Sequence, residues 1–127
     1  LELKLHLSEE SYPAMLTDKD RLFQILCVFM DNAIQHSKNN SLIEIEVIAT
    51  EKNIAFSVAD HGQGISDEDK QYIFDRFYSG DKSHTNKSNF GLGLSIAKEL
   101  TQMLNGTITI NDTAGGGATF TVKFPLK

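Results

Sequence analysis

Asn32 is an amide set in a run of hydrocarbon. Apolar residues recur at helical spacing over 17–37, and at ~100° per residue Leu22, Ile25, Leu26, Phe29, Met30, Ala33 and Ile34 fill a wide arc. Gln24, Asp31, Gln35 and Lys38 gather in a narrow polar stripe, whereas Asn32 and His36, one turn apart, fall inside the apolar arc. Burying an amide without a partner is costly, so Asn32 needs one. Neighbouring backbone could supply it, with His36 a satisfied edge histidine. The chemical alternative is that this helix face floors a pocket in which the Asn32 amide oxygen meets a hard cation. Magnesium takes oxygen ligands and keeps substrate phosphates and waters for the rest of its shell.

Two further stretches have chemical character. Asp60 ends an apolar segment and is followed at once by glycines, in Asp60-His61-Gly62-Gln63-Gly64-Ile65. Asp before Gly is an ordinary turn former. A partly buried carboxylate there could equally accept from the exocyclic amine of adenine, beside glycines that let backbone approach a flat ligand. Gly91-Leu92-Gly93-Leu94 opens a second helical pattern. The plain alternative is a glycine-rich start to an ordinary helix, with Leu92 and Leu94 in the core. Unpaired N–H groups and the helix dipole also make such a start an anion site, and glycine admits a phosphate closely.

These residues need elements to hold them. Leu1, Leu3, Leu5 and Leu7 alternate with Glu2, Lys4 and His6, which predicts a half-buried strand. A loop over 11–17 leads to Thr17, which with Asp20 three residues on can cap a helix reaching about Ser37. Asn39-Asn40 turns the chain. Ile43, Ile45 and Val47 alternate with Glu44 and Glu46, and a turn at Glu51-Lys52-Asn53 leads to Ile54, Phe56 and Val58, which together predict a β-hairpin. Ser66 caps a short acidic helix through Tyr72. Ile73-Phe74-Asp75-Arg76-Phe77-Tyr78 is rich in aromatics, and 79–89, without a large apolar side chain, is expected to form a mobile surface loop. Helical spacing resumes over 91–104 with Leu92, Ile96, Leu100 and Met103 or Leu104 on one face, and Asn105-Gly106 ends it in the left-handed manner. The stretches 107–110 and 119–124 read as paired strands across a turn at 112–117. This order predicts a mixed, largely antiparallel sheet with helices stacked on one face.

Composition bounds the rest. At 127 residues one domain is expected over 1–127, burying roughly two-thirds of the unfolded chain's surface. With 40% apolar and 23% charged residues the chain is not globally disordered. No apolar run approaches the ~20 residues that span a bilayer, and no leader pattern is present. A net charge of −5 argues against nucleic acid as a partner. Lone Cys27 can form neither an internal disulfide nor a ligand cluster, which fits a reducing compartment. The chain enters a strand directly from Leu1, as a domain excised from a longer protein would. The expectation is a soluble, cytoplasmic domain, monomeric by itself.

In their order and spacing the motifs resemble the catalytic, ATP-binding domain of a sensor histidine kinase, in the gyrase/chaperone/kinase/MutL (Bergerat) ATPase superfamily. The N box resembles 24–37 around Asp31-Asn32-Ala33, and the first glycine box Asp60-His61-Gly62-Gln63-Gly64-Ile65. The F box matches Ile73-Phe74-Asp75-Arg76-Phe77-Tyr78, and the second glycine box Phe90-Gly91-Leu92-Gly93-Leu94-Ser95-Ile96. A last glycine motif resembles 115–120, and Phe124-Pro125 the closing strand. The resemblance implies an α/β two-layer sandwich with about three helices. It also implies that Asn32 ligates Mg²⁺ bridging the ATP phosphates and that Asp60 bonds the adenine amino group. Gly62, Gly64 and Ile65 would line adenine and ribose, and Gln35 and His36 would stand near the nucleotide. The loop 79–89 would be the ATP lid, rooted by Phe74 and Phe77, which double as core aromatics. Gly91, Leu92, Gly93 and Leu94 would surround the phosphates.

Four positions depart from the family pattern. Val28 lies one turn before Asn32, where gyrase and MutL carry the Glu that activates water, so hydrolysis is disfavoured and transfer to another acceptor fits better. Ser79 stands where an Arg commonly neutralises phosphate charge; Lys82 in the lid could supply that charge, as could Lys87. Asn89 replaces a frequent glycine, and Ala118 a frequent threonine. The implied reaction is transfer of the γ-phosphoryl group of Mg-ATP to a histidine. His6, His61 and His84 all lie outside a long helix with an adjacent acid, so the acceptor would belong to a dimeric helical domain preceding Leu1, in a parent that a membrane could anchor. A response-regulator receiver domain would follow downstream. A non-catalytic ATP sensor and an anti-sigma-type serine kinase are the alternatives that the same boxes allow.

Overall fold

The computed structural model describes residues 2–7, 18–37, 41–75 and 93–126. Asp18 begins the first helix, α1 (Lys19–His36): its carboxylate accepts from the N–H groups of Asp20 at 3.0 Å and Arg21 at 3.2 Å. The cap thus falls one residue after Thr17, which lies outside the described residues. A carboxylate serves there because it meets both the unpaired amides and the positive end of the helix dipole. At the other end Ser37 turns extended, and its hydroxyl donates to the Ala33 carbonyl at 2.6 Å.

Five strands form one sheet: β1 (Glu2–Leu7), β2 (Leu42–Ala49), β3 (Asn53–Ala59), β4 (Thr107–Asp112) and β5 (Ala118–Pro125), in the order β1-β2-β3-β5-β4. β1 runs parallel to β2, joined through α1 as a parallel pair requires, and every other pairing is antiparallel. The β2–β3 hairpin is closed by Thr50, whose hydroxyl accepts from Asn53 N–H at 3.0 Å. The short helix α2 (Asp67–Lys70) is capped by Ser66 and stops two residues before Tyr72. Lys70 then ties it to the end of β4 through Asp112, at 2.6 Å. Helix α3 (Gly93–Met103) ends at Asn105, whose φ of +62° provides the expected left-handed stop.

Register sorts the sheet into two faces. Ile43, Ile54, Val58, Phe120, Val122 and Phe124 are buried on one of them. Ile25, Phe29 and Ala33 of α1, Leu94 and Ala97 of α3, and Ile73 and Ala118 join that core. Phe29 stacks on Phe120 with centroids 5.4 Å apart, and Phe74 meets Phe120 edge-on at 6.2 Å. Burial of one such side chain stabilises by about 1.5–3 kcal/mol. Glu44, Glu46, Ser57, Thr119 and Thr121 occupy the opposite, polar face.

Two expectations of burial change. The leucines of β1 share the core face by register, yet Leu3, Leu5 and Leu7 are 59%, 60% and 54% exposed. β1 is an edge strand, and α1 packs over β3 and beside α3, so the described helices leave its leucine face open. In α3 the buried positions are Leu94, Ser95, Ala97 and Thr101, while Ile96 and Leu100 are half-buried and Met103 is exposed. Small residues let this helix lie close to its neighbours, and the Thr101 hydroxyl is satisfied by the Ala97 carbonyl at 2.7 Å. The turn at 39–40 and the loops at 11–17 and 79–89 fall outside the described residues.

Candidate functional site

The buried face of α1 carries Asn32 and His36 to one end of the sheet. Asn32 is 5% exposed, and its Oδ1 has no hydrogen-bond partner among the described residues. No backbone group among the described residues satisfies it, so the plain alternative finds no support there. His36 is half-buried; burial pushes its pKa below the usual histidine value, and the nearby charge of Asp60 opposes that only in part. The imidazole is therefore neutral at neutral pH.

Asp60 leaves β3 at the same end and is 2% exposed. Its Oδ1 accepts from two backbone amides, Gly62 at 3.0 Å and Ala118 at 3.1 Å, and its own N–H donates to the Ala118 carbonyl at 2.9 Å. Two amide donors and an adjoining cleft can hold a carboxylate in one orientation without a cationic partner. Side-chain identity at Ala118 is immaterial to this bond, because the backbone makes it. Gly62 lies against the end of α1: a Cβ there would run into the His36 carbonyl. Gly117, at φ +116°, meets the Asp60 carbonyl as closely, and Gly64, at φ +77°, faces Gly117. The loop is thus pressed between α1 and the start of β5, where only glycine fits.

A small cleft results, lined by Asn32, His36, Asp60, Gly64, Ile65 and Ala118. Five of the expected site residues are brought together there. Gln35 is exposed on the polar stripe of α1, Phe74 sits on the core through Phe120, and Leu94 is in the core. Gly93 is exposed at the first position of α3, and a Cβ there would stand 3.5 Å from Val28, an ordinary contact. Phe77, Lys82, Gly91 and Leu92 lie outside the described residues. Sequence reasoning missed that Gly117 and the Ala118 amide fix Asp60. Their only signal was the glycine run before β5, which does not name its long-range partner.

The buried, unpaired oxygen of Asn32 fits a hard cation, since it is an oxygen donor whose desolvation nothing else described offsets. The profile of the family described as "Histidine kinase-, DNA gyrase B-, and HSP90-like ATPase" matches residues 17–127. The chain belongs to this family. Among relatives of this ATPase domain, the sensor protein CiaH of Streptococcus pneumoniae serotype 4 is 41% identical over 114 residues, which cover 89% of the chain and 26% of CiaH. The signal transduction histidine-protein kinase ArlS of Staphylococcus haemolyticus is 37% identical over 124 residues, covering 97% of the chain and 27% of ArlS. The chain therefore spans about a quarter of the length of these relatives. The nucleotide-free catalytic domain of histidine kinase ThkA superposes with a TM-score of 0.85 at 25% identity, over 98% of this chain and 80% of that one. Full-length ShkA in complex with AMPPNP gives 0.83 at 29% identity, over 98% and 25%. Membership of this ATPase family implies ATP binding and accounts for the two-layer α/β sandwich.

Proposed function

We propose that this ATPase domain binds Mg-ATP in the cleft between α1, the glycine loop and β5, and donates the γ-phosphoryl group to a histidine of a separate dimerisation domain. The observation that carries the reading is the buried Oδ1 of Asn32, unpaired among the described residues, in the same cleft as a carboxylate held by two amides. Kinship with sensor histidine kinases and with a structure containing an ATP analogue supports it. Asn32 would hold Mg²⁺, which neutralises phosphate charge when bound. Asp60 would accept from the adenine amino group, with Gly62, Gly64, Ile65 and neutral His36 around the nucleoside. Phe74 and Leu94 would brace the site from the core and Gln35 would stand on its exposed side, with Phe77 and Leu92 beside the nucleotide, and Gly91, Gly93 and Lys82 would face the phosphates.

The transfer itself forms a bond from histidine nitrogen to the γ phosphorus as the bond to the β–γ bridging oxygen breaks, leaving ADP while the imidazole releases its proton to solvent. Positioning and charge neutralisation dominate such chemistry. Val28 brings no carboxylate to activate water, which favours a protein acceptor over hydrolysis. His6 and His61 are both engaged by Glu44, and neither stands in a helix. The acceptor domain and the receiver domain of a response regulator are the proposed partners, on the cytoplasmic side where ATP is available. Among the described residues no helix is long and apolar enough to cross a membrane.

Radiolabelled ATP tests the proposal. The chain alone is expected to bind Mg-ATP and to label itself negligibly, whereas adding the parent's histidine-bearing helical domain yields acid-labile phosphohistidine. Binding without transfer would favour a nucleotide sensor, and strong labelling of the chain alone would place the acceptor within it. Adenine reading is tested separately. Asp60→Asn keeps an oxygen for the Gly62 and Ala118 amides but replaces an acceptor with a donor. Preference for ATP over GTP should fall by roughly 10-fold or more, the usual penalty for a mispaired charged hydrogen bond. Unchanged selectivity in competition titrations would refute the assignment.

A further inference from the structure

The loop at 60–64 is pinned on its inner side by α1 and β5, and a second contact reaches it from the polar face of the sheet. His61 Nε2 lies 2.8 Å from Oε1 of Glu44 on β2. The other oxygen of that carboxylate, Oε2, lies 2.8 Å from Nε2 of His6 on β1. One side chain therefore joins the edge strand, the hairpin and the loop that carries Asp60. These hydrogen bonds, His61's the stronger influence and His6's next, hold the Glu44 carboxyl below the usual glutamate pKa, so it is ionised at neutral pH and both imidazoles donate.

The surroundings leave this contact accessible. Lys4 is Glu44's register partner on β1, Ala59 its partner on β3, and Glu46 follows on the same face of β2. A cup of about 310 Å³ opens beside it, lined by His6, Glu44, Glu46, Ser57, Ala59 and Thr119. Among the described residues no three His, Cys, Asp or Glu side chains are placed to hold a metal ion.

We propose that Glu44 is a positioning residue for the nucleotide cleft, holding the glycine loop from outside through His61. The inference rests on the nucleotide-binding reading above. Asp60 is oriented by amides that belong partly to its own loop, so freedom at His61 becomes freedom at Gly62 and in the carboxylate's aim. A loop that must be ordered on binding weakens affinity by the entropy of ordering it. Because the Glu44 pKa is depressed, the anchor is charge-assisted above the ordinary glutamate value of about 4.3 and loses that assistance as pH falls through the lowered value. Measurements at neutral pH therefore find it intact.

The test compares wild type, Glu44→Ala, His61→Ala, the double variant, Glu44→Gln and His6→Ala at neutral pH. AMPPNP affinity with Mg²⁺ is measured by calorimetry, and amide exchange at 60–64 is measured without nucleotide. Each alanine variant of the Glu44–His61 pair should weaken AMPPNP binding about threefold to tenfold, the span of a charge-assisted hydrogen bond discounted for partial exposure. Exchange at 60–64 should rise in both, and the double variant should be no worse than the worse single. Glu44→Gln, which still offers His61 an oxygen, should recover most of the loss, and His6→Ala should bind like wild type. Additive effects, unrecovered binding in Glu44→Gln, or single variants that bind and exchange like wild type would overturn the inference alone. A wild-type chain that does not bind AMPPNP would overturn the nucleotide reading and this inference with it.

Discussion

Asn32→Ala is expected to separate stability from function in opposite directions. Asn32 Oδ1 is buried without a partner among the described residues, an arrangement that costs roughly 1–3 kcal/mol. Alanine removes that cost and leaves a small cavity in exchange, so the variant should unfold at the same temperature as wild type or higher. Affinity for Mg-ATP should meanwhile fall roughly 10- to 100-fold, the worth of a ligand oxygen facing a cation. The decisive comparison is calorimetry with and without magnesium. Wild type should gain affinity from the metal, and the variant should not. A variant that still gains it, or one that unfolds well below wild type, would show that the amide serves the fold.

Gly62→Ala is the second large effect, and here stability and binding should fall together. The new Cβ would run into the carbonyl of His36, which is backbone at the end of a helix and has no flexible tip to withdraw. Either the loop or the last turn of α1 must move, at a cost of about 3 kcal/mol or more, in the range of severe steric misfits. That movement carries Asp60 away from Asn32 and His36, so AMPPNP binding should be lost even where the chain remains folded. Gly115→Ala provides the contrast. Nothing lies within 4 Å of its added Cβ, and only its φ of +86° is unfavourable, at about 1–2 kcal/mol. Urea unfolding of the two variants should rank them in that order, with binding intact in Gly115→Ala. Equal stabilities would show that the loop yields more easily than its packing indicates.

Much of the architecture was legible in local pattern. Period two marked β1, β2 and β3, the turn at 112–117 set off β4 and β5 as a pair, helical spacing marked α1 and α3, and Asn105-Gly106 marked the end of α3. Asn32 stood out because an amide inside an apolar arc has no local reason to be there. Asp60 and its glycines stood out because a carboxylate and flexible backbone at a strand end suit a flat polar ligand. The motif order that led to the ATPase family follows from the same residues.

Period and spacing specify which way a side chain faces and are silent about what stands opposite. That Asp60 is held by an amide 58 residues away, that Gly62 abuts the end of α1, and that His61 is anchored by Glu44 all depend on pairings between segments far apart in the chain. The leucines of β1 make the same point from the other side: alternation put them on the core face, and among the described elements α1 lies over β3 and leaves them exposed. The sequence by itself determined the elements and the chemical inventory of the cleft, because those rest on short-range geometry. The tertiary structure decided which of those groups remain unpaired and which are held, because hydrogen-bond satisfaction and burial are properties of neighbours in space.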